Sequence, residues 1–390
     1  MLRLKNRLKK KVQFCTGCVN SNLRPRLTFN TAGLCDACQF AHRKHNEINW
    51  KKREEFLKEL CKKYRSKDGS HDVLVPTSGG KDSCYVAHRL KYDFKMNPLC
   101  VSWAPAIYTD IGWTNLKKFS EHFDTIIYIP NRKTHSILTR IAFEEFGDPF
   151  QPWAYGQQSY PIQIAKRFNI KLVMYGENQD AEYGGGKNKQ YRGEETLKER
   201  YDNQSLRVKK GVDTLIDIGV KKNLLDKSFR KNKYLEDYRL PTYSDVKDSK
   251  IKFYFFSYFS KWIPQHNYYY AQQYLNFKTG ESRSQGTFTS YTSLDDKLDE
   301  LYYYMQYIKF GFGRATSEAS IDVRDGFISR KEAVNLVKLY DGEFPSFEID
   351  EVLKYMNITK KNFVKIVDSF RSKAIWKKKG NKWYLKFKVQ

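Results

Sequence analysis

The segment that most constrains the fold lies between residues 71 and 90, where a strand, a glycine loop and a helix are predicted in succession. Residues 71–76 are rich in buried-type aliphatic residues, and residues 84–90 follow a helix-compatible pattern. Between them the chain reads Thr77-Ser78-Gly79-Gly80-Lys81-Asp82-Ser83. Loop N–H groups at a helix N-terminus attract phosphate, Gly79 and Gly80 permit close approach, and Ser78 and Ser83 offer hydroxyl donors. The sequence therefore predicts a pyrophosphate-binding loop.

This loop is not a kinase-type P-loop. A Walker A motif needs glycine five residues before Gly80 and serine or threonine directly after Lys81. The chain has Val75 and Asp82 at those positions. The pattern therefore points to a different class of ATP-using protein.

Three further strands are predicted at residues 98–103, 125–129 and 171–175, with helical segments between them. This alternation favours an α/β fold with a parallel sheet, in which ligands bind beyond the carboxyl ends of the strands. The third strand runs into Gly176-Glu177-Asn178-Gln179-Asp180. Glu177 and Asp180 are therefore candidate magnesium or substrate ligands, and an acidic helix N-terminus is the structural alternative.

Four cysteines near the start have metal-ligand spacing. They form Cys15-x2-Cys18 and Cys35-x2-Cys38, which is the two-knuckle spacing of a tetrahedral site. Four thiolates leave no open coordination position, so we predict a structural metal. Zinc is the first choice, and an iron-sulfur cluster is the alternative.

Residues Ser78–Ser83 resemble the PP-loop signature of the N-type ATP pyrophosphatases. The resemblance implies a parallel-sheet core that is similar to the adenine nucleotide alpha hydrolases and binds ATP and Mg²⁺. It also implies transfer of AMP to a substrate oxygen. By the same resemblance Lys81 neutralises phosphate charge, Asp82 helps to place magnesium, and both act with Glu177 in catalysis, while Gly176 contributes to the nucleotide site.

A wider set of motifs resembles the N-acetyl sugar amidotransferases of the WbpG and PseA type. The motifs are the four cysteines, Arg24-Pro25, the loop, Tyr175-Gly176-Glu177-Asn178, and the runs 311–326 and 329–333. The resemblance implies conversion of an acetamido group into an acetamidino group on an anionic sugar or nucleotide sugar of the bacterial surface. Ammonia would come from a separate subunit similar to the histidine-pathway glutaminase, with or without its cyclase-like partner.

The chain itself offers no glutaminase nucleophile by sequence. Residue 2 is Leu2, and no cysteine stands in a Gly-x-Cys-x-Gly elbow. His45-x-Glu47 has the spacing of half a triad, but the nearby cysteines are already predicted as metal ligands. We therefore do not interpret it as a triad.

The segment Gly311-Phe312-Gly313-Arg314 allows two interpretations. It could be a helix-capping loop, or it could recognise an anion together with the hydroxyl residues that follow. The second is favoured, which makes Arg314 and Arg324 candidates for nucleotide or substrate contacts.

The formal charge of +26 makes nucleic-acid binding the main source of rival functions. The first rival is a PP-loop enzyme that thiolates tRNA, but in the catalytic half only Cys84 and Cys100 remain, without a C-x-x-C pair. The second is a nucleotide-sensing scaffold without catalysis. No secretory signal is recognised and no apolar run is long enough to span a bilayer, so a cytoplasmic protein is expected.

The predicted organisation has four parts. Residues 1–50 form the four-cysteine module, 51–186 the α/β core, 187–293 an insertion that meets substrate or partner, and 294–390 a mainly helical region. Leu294, Leu298, Leu301 and Met305 share one helix face and are expected in the core. Packing is also the favoured role for Trp262, Trp376 and Trp383.

Overall fold

The computed structural model describes residues 11–185, 193–196, 199 and 211–390. The basic N-terminal stretch and part of the predicted insertion 187–293 lie outside these residues. Within the described part, no helix combines the length and the apolarity that crossing a membrane requires.

A mostly parallel sheet forms the centre of the described structure. Its strands are β1 (Val73–Pro76), β2 (Pro98–Trp103), β3 (Thr125–Tyr128), β4 (Leu172–Tyr175), β5 (Glu194–Glu195) and β6 (Lys252–Phe255). Their order in the sheet is β3-β2-β1-β4-β6-β5, and only β5 pairs in the antiparallel sense. The predicted strands at 98–103, 125–129 and 171–175 are thus confirmed to within one residue, because apolar β-branched runs between turn residues specify buried strands.

Helices cover both faces of the sheet. In chain order, the helices up to residue 275 are α1 (Asp36–Asn46), α2 (Trp50–Tyr64), α3 (Lys81–His88), α4 (Asp110–Ser120), α5 (Arg132–Phe146), α6 (Gln151–Arg167), α7 (Gln179–Glu182), α8 (Val212–Lys221), α9 (Tyr243–Lys247), α10 (Phe256–Phe259) and α11 (Pro264–Leu275). A π-helical turn, Arg89–Asp93, extends α3, and two 3₁₀ segments cover Lys227–Lys231 and Lys233–Tyr238. Alternate residues of β1 enter opposite cores, with Val73 and Val75 on one side and Leu74 on the other. This alternation is what a sheet buried on both faces requires.

The sheet continues beyond residue 186, where the sequence predicts that the α/β core ends. Strand β6 pairs with β4 along its full length, and α11 packs against α3. Residues within 187–293 therefore belong physically to the core. The prediction stopped early because the charged stretch before β6 obscures the short strand.

The C-terminal region is mainly helical, as predicted. It contains α12 (Asp299–Phe310), α13 (Arg314–Asp325), α14 (Arg330–Tyr340), α15 (Ile349–Met356), α16 (Lys360–Phe370) and the hairpin β7 (Trp376–Lys379) and β8 (Lys382–Leu385). Leu298, Leu301 and Met305 are buried in its core together with Trp376. The predicted burial of Leu294, Leu298, Leu301 and Met305 is confirmed, but the four do not share one helix face, because α12 begins at Asp299 and Leu294 packs in the core beside the sheet.

A buried ionic cluster ties the N-terminal, central and C-terminal parts together. Lys44 of α1 is 2% exposed, and its Nζ lies 3.2 Å from Glu182 Oε2 and 2.9 Å from Asp325 Oδ1. The same Nζ donates to the Trp262 carbonyl at 2.9 Å. Because a buried charge is costly unless paired, this arrangement fixes α1 against α7 and α13.

Candidate active site

The glycine loop joins β1 to α3 at the carboxyl edge of the sheet, between the adjacent strands β1 and β4. Gly79 has φ +79°, and a Cβ there would lie 2.7 Å from the Leu116 Cα of α4. Glycine is therefore required both for the backbone conformation and for the close approach of α4.

We predict that Gly79→Ala distorts the loop. A left-handed non-glycine residue and a backbone clash together should lower the free energy of unfolding by roughly 2–4 kcal/mol. Urea unfolding measures this loss. Gly380→Ala is the control, since Gly380 also has positive φ (+56°) but a Cβ there meets nothing within 4 Å. Equal losses in both variants would contradict the role of the Leu116 contact.

Hydroxyl groups close the loop internally. The Gly79 N–H donates to Thr77 Oγ1 at 2.9 Å, Thr77 Oγ1 donates to Ser83 Oγ at 2.8 Å, and Ser83 Oγ donates to the Gly80 carbonyl at 2.9 Å. The predicted phosphate donor Ser83 is thus engaged in holding the loop. Ser78 instead lines a cavity next to the loop.

The predicted catalytic pair stands at the start of α3. Lys81 is 9% exposed, and its Nζ lies 2.5 Å from Asp82 Oδ2. The other oxygen, Asp82 Oδ1, accepts from Asn267 Nδ2 of α11 at 2.8 Å. Both side chains line the cavity described below, and the contact from Asn267 is one that the sequence did not reveal.

Glu177 follows β4 and faces Asp82 across the gap between the two strands. Desolvation raises its pKa, and the charge of Asp82 adds to the shift. The backbone here is fixed because the Ser257 N–H donates to the Gly176 carbonyl at 3.1 Å. Asp180, the other candidate, lies 2.9 Å from Arg26 Nη2 and is absent from the cavity lining.

Two adjoining cavities beside the loop share part of their lining. The larger has a volume of about 510 Å³ and the smaller about 210 Å³. Both are lined by Lys81, Asp82, Tyr291, Thr292, Asp295, Asp299, Tyr303 and Arg314. The site therefore combines the loop of the α/β core with side chains of the C-terminal third of the chain.

The larger cavity is acidic although the whole chain is strongly basic. Its lining carboxylates are Asp82, Asp148, Glu177, Asp295, Asp296, Asp299, Glu318 and Asp322, and its lining lysine and arginine side chains are Lys81, Arg24 and Arg314. Burial raises the pKa of Asp295 and Asp299, and for Asp299 the neighbouring charges of Asp295 and Asp296 add to the effect. Such a cavity suits bound cations beside phosphate.

Arg314 is the predicted C-terminal site residue that does line the cavity. Its Nε donates to Glu318 Oε1 at 2.9 Å, one helical turn along α13. The backbone N–H groups around Arg314 are not free to bind an anion. Asp341 accepts hydrogen bonds from the Gly313 N–H at 2.8 Å and from the Thr316 N–H at 3.0 Å. The helix N-terminus is thus capped by a carboxylate of the protein, and only the Arg314 side chain remains for anion recognition.

Several cavity residues carry no role in the sequence-based interpretation. Arg24, from the N-terminal module, donates to Ser317 Oγ at 3.0 Å and lines the cavity. Glu318 and Asp322 could have been found from their spacing of four residues in a predicted helix. Asp295 and Asp299 have the same spacing, but only Asp299 lies within α12, and tertiary packing alone brings both beside the loop.

The four predicted metal ligands converge. The sulfur atoms of Cys15, Cys18, Cys35 and Cys38 all lie within 4.8 Å of one another. The Cys15–Cys38 and Cys18–Cys35 separations are both 3.7 Å, close to the ~3.8 Å edge of a tetrahedron with zinc–sulfur bonds of ~2.3 Å. The residues therefore fit one tetrahedral ion such as zinc.

The structure places Arg324 at this cluster and away from the cavity. Its Nη1 lies 3.9 Å from Cys18 Sγ, and its Nη2 donates to the Glu182 carbonyl at 2.8 Å. Arg330 reaches the same module, because its Nε donates to the Cys18 carbonyl at 3.2 Å. Arg324 and Arg330 thus fasten the C-terminal helices to the cysteine module, and their positions need no contact with a substrate.

One comparison with known proteins gives a match. The family model described as "LPS biosynthesis protein WbpG-like, C-terminal domain" matches residues 285–389. We find no match among curated proteins. The matched segment contributes Asp295, Asp299, Arg314, Glu318 and Asp322 to the cavity. It relates the C-terminal part of this chain to proteins of lipopolysaccharide biosynthesis.

Proposed function

We propose that this protein is an ATP-dependent amidotransferase that converts an acetamido group of a bacterial surface sugar into an acetamidino group. The observation that carries the proposal is the pair of adjoining cavities at which the Lys81 loop meets carboxylates and Arg314 from the lipopolysaccharide-related segment. One wall suits a nucleotide, and the rest offers polar and aromatic groups for an acceptor.

The proposed reaction has two steps. The acceptor's amide oxygen attacks the α-phosphorus of ATP, a P–O bond to pyrophosphate breaks, and the amide carbon becomes an activated imidate. Ammonia then adds to that carbon, a C–N bond forms, the C–O bond breaks, and AMP leaves with the former amide oxygen. Lys81 and Arg314 would stabilise the charge on the phosphates, which is the kind of preorganised electrostatic contact that accelerates phosphoryl chemistry.

Asp82 and Glu177 are the residues that would hold Mg²⁺ near the loop. Carboxylate oxygens are the ligands that magnesium prefers, and the pKa of Glu177, raised first by burial and then by the charge of Asp82, would be lowered by a bound cation. The ion would supply charge neutralisation for the leaving pyrophosphate.

The remaining thiols weigh against tRNA thiolation. Cys84 is 2% exposed, Cys100 is 0% exposed, and burial raises the pKa of both thiols. A persulfide carrier needs an accessible thiolate, which these positions do not offer. The same burial supports a separate subunit as the ammonia source, and His45 Nε2 lies 2.9 Å from Asp325 Oδ1, engaged in the ionic cluster.

The test is release of pyrophosphate and AMP from the purified protein with magnesium, ATP and ammonium chloride. N-acetylated bacterial sugars and nucleotide sugars form one panel, and bulk unmodified tRNA is the competing acceptor. We expect release that depends on one sugar, with a product in which NH replaces oxygen by mass spectrometry. Release that depends on tRNA would overturn the proposal.

A further inference from the structure

Two carboxylates of α13, Glu318 and Asp322, form a part of the cavity that phosphate chemistry does not explain. They stand four residues apart and therefore lie on the same face of the helix. Both line the larger cavity and neither lines the smaller one beside the loop. Like charges at this spacing repel, and of the two carboxylates Glu318 is paired with a cation of the protein, Arg314.

Glu318 provides the first independent sign of a ligand. It is 7% exposed, and its Oε1 accepts from Arg314. Its Oε2 is buried and has no hydrogen-bond partner among the described residues. A buried carboxylate oxygen without a donor is costly, and a bound N–H donor would remove that cost.

Asp322 provides a proton acceptor in the same place. No side-chain hydrogen bond of Asp322 is found within the described part of the chain, and the side chain lines the cavity. Burial raises its pKa to about 7, the charges of Glu318 and Asp325 add, and Arg324 opposes. Tyr291 faces the pair from the segment before α12, and its pKa is raised by burial and then by Asp322 and Glu318. A carboxyl group that titrates near neutrality is suited to general base catalysis.

The ligand should be small and cationic and should carry several N–H donors. Glu318 Oε2 lacks a hydrogen-bond donor, and the Asp322 carboxylate can accept a proton. Resting on the proposed function, we infer that Glu318 and Asp322 form the ammonium subsite of the reaction. Glu318 holds the ion through Oε2, and Asp322 takes a proton from it to release ammonia for attack.

The protons balance over the reaction. Ammonium loses one proton to Asp322 and becomes ammonia. Ammonia attacks the protonated imidate, and a second proton leaves the new nitrogen as AMP is expelled, giving the amidinium product. One of the two protons ends on pyrophosphate and the other is released to solvent, so no oxidant or further reactant is needed.

The test separates adenylylation from amidination in Asp322→Asn. Acceptor-dependent exchange of labelled pyrophosphate into ATP reports the first step and needs no ammonia. We expect exchange within about twofold of the original protein, while the KM for ammonium chloride rises at least about tenfold. Below the pKa of ammonium, the rate of the variant should rise about tenfold per pH unit as free ammonia increases. Hydroxylamine, which is neutral at pH 7, should restore turnover.

Glu318→Gln and Asp350→Asn complete the design. Glu318→Gln keeps an oxygen for Arg314 and should also raise the KM for ammonium, whereas Asp350, 72% exposed on its side chain, serves as the control. An unchanged ammonium KM in Asp322→Asn would overturn the subsite, and so would a loss of exchange that is repaired by more magnesium. Absence of acceptor-dependent exchange in the unaltered protein would instead refute the proposed function.

Discussion

Lys81→Ala should reduce acceptor-dependent pyrophosphate release by about 10²- to 10³-fold, the usual effect of removing one preorganised charge-stabilising group. Lys81 is buried at the first turn of α3, where it lines both cavities next to the glycine loop. Burial would strengthen its interaction with the phosphates of the proposed nucleotide, because water does not screen the charge. A stopped-flow or coupled assay of pyrophosphate with magnesium, ATP and the acceptor measures the effect.

The control for this variant is Lys58→Ala, which removes a lysine of α2 whose side chain is 59% exposed and paired with Glu54. It should keep the rate, because an exposed ion pair contributes little. Lys81→Arg retains the charge and should recover part of the activity. If Lys81→Ala turned over as fast as Lys58→Ala, the loop would not be the nucleotide site.

Cys18→Ser should abolish the metal binding that we predict for the four cysteines and should lower the stability of the protein. The four sulfurs are spaced for one ion, and structural zinc contributes about 10–16 kcal/mol in small zinc-binding peptides. In this larger chain we expect a loss of at least about 3 kcal/mol, measured by denaturant unfolding, together with metal content near zero by mass spectrometry. Chelation of the metal from the unaltered protein should reproduce the loss.

Activity should fall with the metal, since the cysteine module positions cavity residues. Arg24 follows the first knuckle and reaches Ser317, and Arg330 binds the carbonyls of Cys15 and Cys18. Cys61→Ala is the control, because Cys61 is equally buried but lies in the core that covers the sheet. It should retain the metal and cost about 1 kcal/mol. A Cys18→Ser protein with normal metal content would exclude Cys18 as a ligand.

The sequence by itself determined the features that depend on neighbouring residues. The strand before the loop, the three strands after it and the two C-x-x-C knuckles are each encoded by a short stretch of chain, since alternating burial and turn chemistry act locally. The interpretation of Lys81 and Asp82 as site residues followed from the loop and its resemblance to the PP-loop signature, and Glu177 was added by the rule that ligands bind beyond the carboxyl ends of parallel strands. Those residues do face one cavity.

Only the tertiary structure decided what surrounds that loop. Asp295 and Asp299 reach the cavity because the chain returns to the sheet edge after α11, more than 200 residues beyond the loop. The sequence around Gly313 suggested an anion-binding site, but Asp341, at the end of α14, accepts the hydrogen bond from the Gly313 N–H. A local sequence pattern cannot predict a capping residue that lies so far along the chain. Arg314 and Arg324 occupy one helix and are similar in sequence context, yet one lines the cavity and the other meets Cys18. Their roles differ because ten residues of helix separate them by nearly three turns, and which partner each turn meets is set by packing.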